Sequence, residues 1–194
     1  MRTAFLTIVA LATAASAWAT PITYTHTGFG SGSLNGAGFG ASAPLAFTIS
    51  AIGDTNNVTS CGGACLYNNN TSVSIAITGV GTVTLITPTR YFSNVGIVGF
   101  SRAGVSGLDL FNGPAVPGGW NMTTSIGPIT GTGSLIQWTN SPILTNLGVL
   151  VFNNRSSATT FTATVASVAE PSSFALLGIG FALALVRRRL HKRG

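Results

Sequence analysis

Cys61 and Cys65 are the two thiols of the chain, and only Gly62-Gly63-Ala64 separates them. Side chains at this spacing can close a disulfide, help hold a metal or run a redox cycle. A metal needs more ligands, and His26 is the one histidine between residues 20 and 169. A redox pair favours Cys-x-x-Cys beside a βαβ unit, and neither feature is present. Two glycines allow so short a loop to bring the Cα atoms within bridging range. A structural disulfide is therefore expected, contributing about 2 kcal/mol by loop closure, with free or intermolecular thiols as the alternative.

Acid–base chemistry has few carriers in the same stretch. Asp54 and Asp109 are its only carboxylates, joined by His26, Tyr24, Tyr67, Tyr91, Arg90, Arg102 and Arg155. A glycosidase needs two carboxylates across a cleft, and Asp54 stands in Gly-Asp-Thr-Asn-Asn, where an aspartate is expected for turn hydrogen bonding alone. Calcium sites gather several carboxylates, which this stretch lacks. Gly104-Val105-Ser106-Gly107-Leu108 begins like a nucleophile elbow but lacks the closing glycine, and no Gly-Lys-Ser/Thr phosphate loop occurs. The expectation is a protein that is not an enzyme, with no catalytic residue, metal or cofactor. Trp120 and Trp138 are the candidates for stacking against a sugar ring. The competing reading places both in the core with the indole N–H paired.

The elements that carry these residues read as strands. Leu45, Phe47 and Ile49 alternate with Ala46, Thr48 and Ser50; Val73, Ile75 and Ile77 alternate with Ser74, Ala76 and Thr78. The same period of two holds at 82–85 and 160–165, the pattern of half-buried strands. Further strands are expected at 22–27, 95–100, 120–126, 134–139 and 147–152. Turn signals fall at Gly53-Asp54-Thr55-Asn56-Asn57, Asn68-Asn69-Asn70, Gly79-Val80-Gly81, Asn112-Gly113-Pro114 and Pro117-Gly118-Gly119. The Gly-rich stretch 28–40 reads either as two short strands around Asn35-Gly36 or as a loop. Many short strands without helical periodicity predict an all-β, antiparallel sandwich or barrel-like domain.

The two ends differ from this middle. Arg2, an apolar stretch at 4–15 and Ala17-Trp18-Ala19 have the order of a signal peptide cut after Ala19, with Ala15-Ser16-Ala17 as a second box. At the other end Glu170-Pro171-Ser172-Ser173 precedes an apolar run at 174–186, and Arg187-Arg188-Arg189 follows it. As a helix that run would measure roughly 20 Å, short of the ~30 Å hydrocarbon core. It has no polar face, however, and the arginines mark a cytoplasmic end and can snorkel to extend the span. A single transmembrane helix at 174–186 with a basic cluster at 187–193 is expected. The formal charge of +6 is concentrated in these ends. Between residues 20 and 169 three arginines face two aspartates, leaving +1, so no basic face for nucleic acid exists there.

Glu170-Pro171, the short apolar run and the triple arginine together resemble the PEP-CTERM sorting tail of exopolysaccharide-producing Gram-negative bacteria. The chain has Ala169-Glu170-Pro171 where members usually show Pro-Glu-Pro. The segments TYTHTGFGSGSLNG, PLAFTISAIGDTNNV, SVSIAITGVGTVTLITPT, GLDLF and MTTSIGPITGTGS are similar to exported PEP-CTERM ectodomains, whose function is generally unassigned. The resemblance implies a signal peptide (1–19), a β-rich ectodomain (20–168) and a sorting tail (169–194). It implies an exosortase as processing partner, reading Glu170, Pro171, Ser172, Arg187, Arg188 and Arg189. It also implies transient anchoring in the inner membrane and delivery to the cell surface or an exopolysaccharide matrix. A structural or interaction role is the first expectation, a carbohydrate-binding module the second, and a hydrolase the least favoured.

Overall fold

The computed structural model describes residues 20–105 and 107–167. The expected signal peptide, sorting motif, transmembrane run and basic cluster lie outside the described residues. The described chain is all-β and antiparallel. Its strands are β1 (Pro21–Gly30), β2 (Gly32–Leu34), β3 (Ala37–Phe39), β4 (Leu45–Asp54), β5 (Thr59–Gly62), β6 (Cys65–Asn69), β7 (Ser72–Ile77) and β8 (Gly81–Thr84). They continue with β9 (Thr89–Asn94), β10 (Ile97–Arg102), β11 (Asp109–Ala115), β12 (Ile126–Leu135), β13 (Ile143–Thr145), β14 (Gly148–Phe152) and β15 (Arg155–Val165). One sheet of eleven strands runs β5-β6-β9-β10-β11-β12-β15-β1-β4-β7-β8, and a sheet of four runs β13-β14-β2-β3.

The large sheet curls on itself. In a flat sheet β9 and β1, five places apart, would stand ~24 Å from one another. Yet the Tyr24 ring of β1 and the Tyr91 ring of β9 stack at 4.6 Å, so the inner faces of both strands meet. Asn68 latches the curl: its side-chain N–H donates to the Tyr24 hydroxyl at 2.9 Å and to the Asp54 carbonyl at 3.0 Å. It can come this close because residue 53 is glycine, where a Cβ would lie 2.8 Å from the Asn68 amide.

The small sheet is the continuation of two long strands around a corner. β1 and β15 pair from Ile22↔Val165 to Thr27↔Thr160, and beyond them β2 pairs with β14. Both strands break at one level, where the Asn153 N–H donates to the Ser31 carbonyl at 2.8 Å. Gly32 permits the crossing, since a Cβ there would fall 2.0 Å from the Val151 carbonyl oxygen.

Side-chain alternation along the predicted strands explains the core. On β1, Ile22, Tyr24 and His26 point inward and are fully buried, while the threonines between them face outward. Phe47 and Ile49 of β4, Ile75 of β7 and Phe161 of β15 meet them inside. His26 lies edge-on to Phe111 and Phe161, with centroids at 4.3 and 5.4 Å. The stretch 28–40 forms two short strands, and Asn35-Gly36 between them both take positive φ (49° and 82°). That is the mirror-image turn that matches strand twist.

Several expected elements differ. The stretch 120–126 is a loop whose alternate residues Trp120 and Met122 are buried, and β12 begins only at Ile126. Its apparent period of two comes from a loop tucked over the core. The stretch 134–139 is strand only to Leu135, after which Gln137 turns at φ 56°. Val95-Gly96, expected as a strand start, form the turn between β9 and β10 at φ 47° and 77°. Asn112-Gly113-Pro114, expected as a turn, lies within β11, where Gly113 at φ 95° accommodates an irregular stretch. Asn68 and Asn69 likewise end β6 rather than making a turn.

Candidate functional site

The acid–base residues do not converge. Asp54 ends β4 and caps the 3₁₀ turn Thr55–Asn57, accepting from the Asn56 N–H at 2.9 Å. This is the turn role its sequence context implies. Asp109 opens β11 and accepts from the Asn112 side chain at 3.2 Å. His26 sits in the core, where burial pushes its pKa down to about 3 against a small opposing influence of the Gly113 backbone. Neither ring nitrogen makes a hydrogen bond of normal geometry. Tyr24 and Tyr91 are also held protonated well above the ordinary range, chiefly by burial. No cluster of three or more His, Cys, Asp or Glu is present among the described residues. Gly104 and Gly107 shape a turn between β10 and β11, rather than the strand-to-helix elbow of a nucleophile.

Cys61 and Cys65 are paired, with Cα atoms 5.1 Å apart. They staple the hairpin of β5 and β6, whose tip is Gly63-Ala64. β5 is exposed along its whole length and forms one edge of the large sheet. Staple and glycine tip hold an edge that has almost no buried side chains of its own.

The tryptophans part company. Trp138 is fully buried, packs edge-on to Phe152 at 5.0 Å and donates its indole N–H to the Leu110 carbonyl at 2.7 Å. It is a core residue. Trp120 is 8% exposed, packs against Phe161 at 5.6 Å and donates to the Thr124 carbonyl at 3.0 Å. Its remaining surface opens into a groove of about 630 Å³. That volume falls in the range of ordinary small-ligand sites.

Three turns build this groove. The tip of the disulfide hairpin supplies Gly63 and Ala64, the turn between β9 and β10 supplies Val95 and Gly96, and the turn after β11 supplies Gly118 and Gly119. Leu66 and Ser93 face each other across β6 and β9 as the last inward-pointing pair at this end of the curl. The groove therefore lies at a mouth of the half-barrel. No charged side chain lines it. Sequence reading found Trp120 but not Leu66, Ser93 or Val95, because nothing local brings β6, β9 and the loop after β11 to one rim.

A second grouping lies on the outer face. Tyr67 and Phe92 are directly opposed across β6 and β9, the Arg90 guanidinium sits 4.9 Å from the Tyr67 ring centroid, and Arg90 Nε donates to Ser101 at 3.1 Å. Phe92 lies over Gly99, where a Cβ would come within 2.2 Å of the ring. These contacts satisfy one another and cover the backbone of a glycine.

No family model, curated protein or solved structure matches this chain.

Proposed function

We propose that this chain is an exported, non-enzymatic component of a cell surface or exopolysaccharide matrix, delivered through its C-terminal tail. The observation that carries the reading is the order of Glu170-Pro171, apolar run and Arg187-Arg188-Arg189 behind an amino-terminal export signal. In this reading the apolar run anchors the chain in the inner membrane. An exosortase acts on the tail, and the β-domain is released outward. The domain's properties support the assignment: its charge is low, its strands present threonine and serine outward, and its few ionisable groups stand apart. Such a surface suits a neutral, polysaccharide-rich setting, where charge-driven association would be a liability.

The test is fractionation of cells that express the chain with and without substitution of Arg187, Arg188 and Arg189 by alanine. The expected outcome is a mature wild-type protein in the surface or matrix fraction and a variant that accumulates uncut or mislocalised. Identical distribution of both proteins overturns the proposal.

Carbohydrate binding is a second reading, favoured by the uncharged groove beneath Trp120. A hydrolase finds less support, because Asp54, Asp109 and His26 occupy separate surroundings.

A further inference from the structure

We infer that the groove at the Trp120 end of the half-barrel is a binding site for a neutral sugar unit of a polysaccharide. The inference rests on the matrix reading above and names the site and ligand class within it.

Four features of the groove select the ligand. Its lining lacks any charged side chain, so a uronate, phosphate or ammonium group would lose hydration there without gaining a partner. Part of its lining is apolar, made by the exposed margin of Trp120 with Leu66, Val95 and Ala64. Its rim is polar in a particular way. Gly63, Gly96, Gly118 and Gly119 present backbone without side chains to cover it, and Ser93 and Asn121 add a hydroxyl and an amide. A pyranose has the matching form, with an apolar C–H face and a ring of hydroxyls at its edge. An alkyl chain would leave the polar rim unpaired, and a free peptide would find no sheet edge inside the groove.

The fourth feature is that the rim is constructed. Val95 is 80% exposed and held at φ 47°, in the left-handed region that β-branched residues avoid. Strained exposed residues of this kind concentrate at functional positions. The opposite wall is stapled by Cys61–Cys65, which fixes the shape of the hairpin tip before any ligand arrives. Preorganisation of this sort lowers the ordering cost of binding.

Gly118 gives the cleanest test. It is not among the positive-φ glycines, and a Cβ added there meets nothing within 4 Å, so Gly118→Leu adds bulk at the groove lining without a clash. The full chain, purified in a zwitterionic detergent, is titrated calorimetrically with four probes. Maltoheptaose, cellohexaose and mannohexaose are neutral, and trigalacturonate is anionic. A fifth titration uses a peptide of the chain's own apolar run, residues 174–186. The expected result is binding of at least one neutral oligosaccharide, a change in tryptophan emission that Trp120→Phe removes, and at least tenfold weaker binding by Gly118→Leu at an unchanged unfolding midpoint. The inference is overturned if no neutral probe binds, if Gly118→Leu binds as wild type, or if only trigalacturonate or the peptide binds. Fractionation of cells expressing Gly118→Leu separates the two readings. Retention in the matrix after loss of sugar binding leaves the delivery reading standing.

Discussion

The burial of His26 ties the stability of the domain to pH. Its folded pKa of about 3 lies far below its ordinary value, because the imidazole is buried among Phe111, Phe161 and Tyr91. Between these two values the unfolded chain binds a proton that the folded chain refuses. The stability that depends on neutral His26 is therefore fully present above about pH 6.5 and falls by about 1.4 kcal/mol per pH unit below it. Urea unfolding at pH 7 and pH 4 should show this slope in the wild type and lose it in His26→Phe. An equal acid slope in both proteins would place the sensitive group elsewhere. The position was legible: in Thr23-Tyr24-Thr25-His26-Thr27 the period of two puts His26 on the face of Tyr24 and Ile22, which is the core face. Asp54 was also legible as a turn residue, and the cost of removing it should be that of a cap. Asp54→Ala is expected to lose about 1 kcal/mol by thermal unfolding, whereas Asp54→Asn retains an acceptor and stays close to wild type. Neither change, nor Asp109→Asn, is expected to alter surface delivery, which fractionation of the expressing cells checks.

At the scale of elements, strands that bury one face were readable; of those that bury both, β10 was expected at 95–100 and β9 was not. β1, β4, β7 and β15 alternate cleanly because threonine or serine faces out at nearly every second residue. β9 buries Tyr91, Phe92 and Ser93 in succession, since Phe92 packs on the outer face over Gly99 while Tyr91 joins the core. Consecutive burial erases the period, and the strand escapes notice. β11 is legible only at its start, where Leu108-Asp109-Leu110 reads as strand, because it goes on into Asn112-Gly113-Pro114, the composition of a turn. Turns were readable where glycine sits at the left-handed position, as in Asn35-Gly36, and missed at Val95-Gly96, where the first turn residue is one that resists it. That resistance gives a direct prediction. Val95→Asn keeps the turn and relieves a conformation that costs an ordinary L-residue ~1–2 kcal/mol. The unfolding midpoint should rise, and a fall would mean that the Val95 side chain makes contacts worth more than the strain.

The curl of the large sheet belongs to the whole molecule, and local sequence carries almost no trace of it. Pairing partners follow from alternation and turns, but the meeting of β6 with β1 and β4 depends on one amide, Asn68, and on the missing Cβ of Gly53. In the sequence Asn68 reads only as the first of three asparagines. The candidate groove inherits the same difficulty, because its three walls come from turns distant in the chain. Asn68→Ala tests the latch, since it leaves the buried Tyr24 hydroxyl without its donor, at a cost of about 1–3 kcal/mol for an unsatisfied group. Denaturant unfolding should show this loss with near-normal strand content at low denaturant.

β15 finishes at Val165, and the ladder closes when the Ala166 N–H donates to the Pro21 carbonyl at 2.9 Å, with the Thr55 N–H donating to Thr20 at 3.0 Å beside it. Every core residue named above lies before this point, among the described residues. Deleting residues 171–194 should leave the unfolding midpoint and the near-ultraviolet spectrum of the domain unchanged, while moving the protein from the membrane pellet to the soluble exported fraction. A truncated chain that folds but stays with membranes would show that the domain itself holds the lipid surface. One that cannot fold would show that the apolar run belongs to the core, and the sorting role proposed for it would fall.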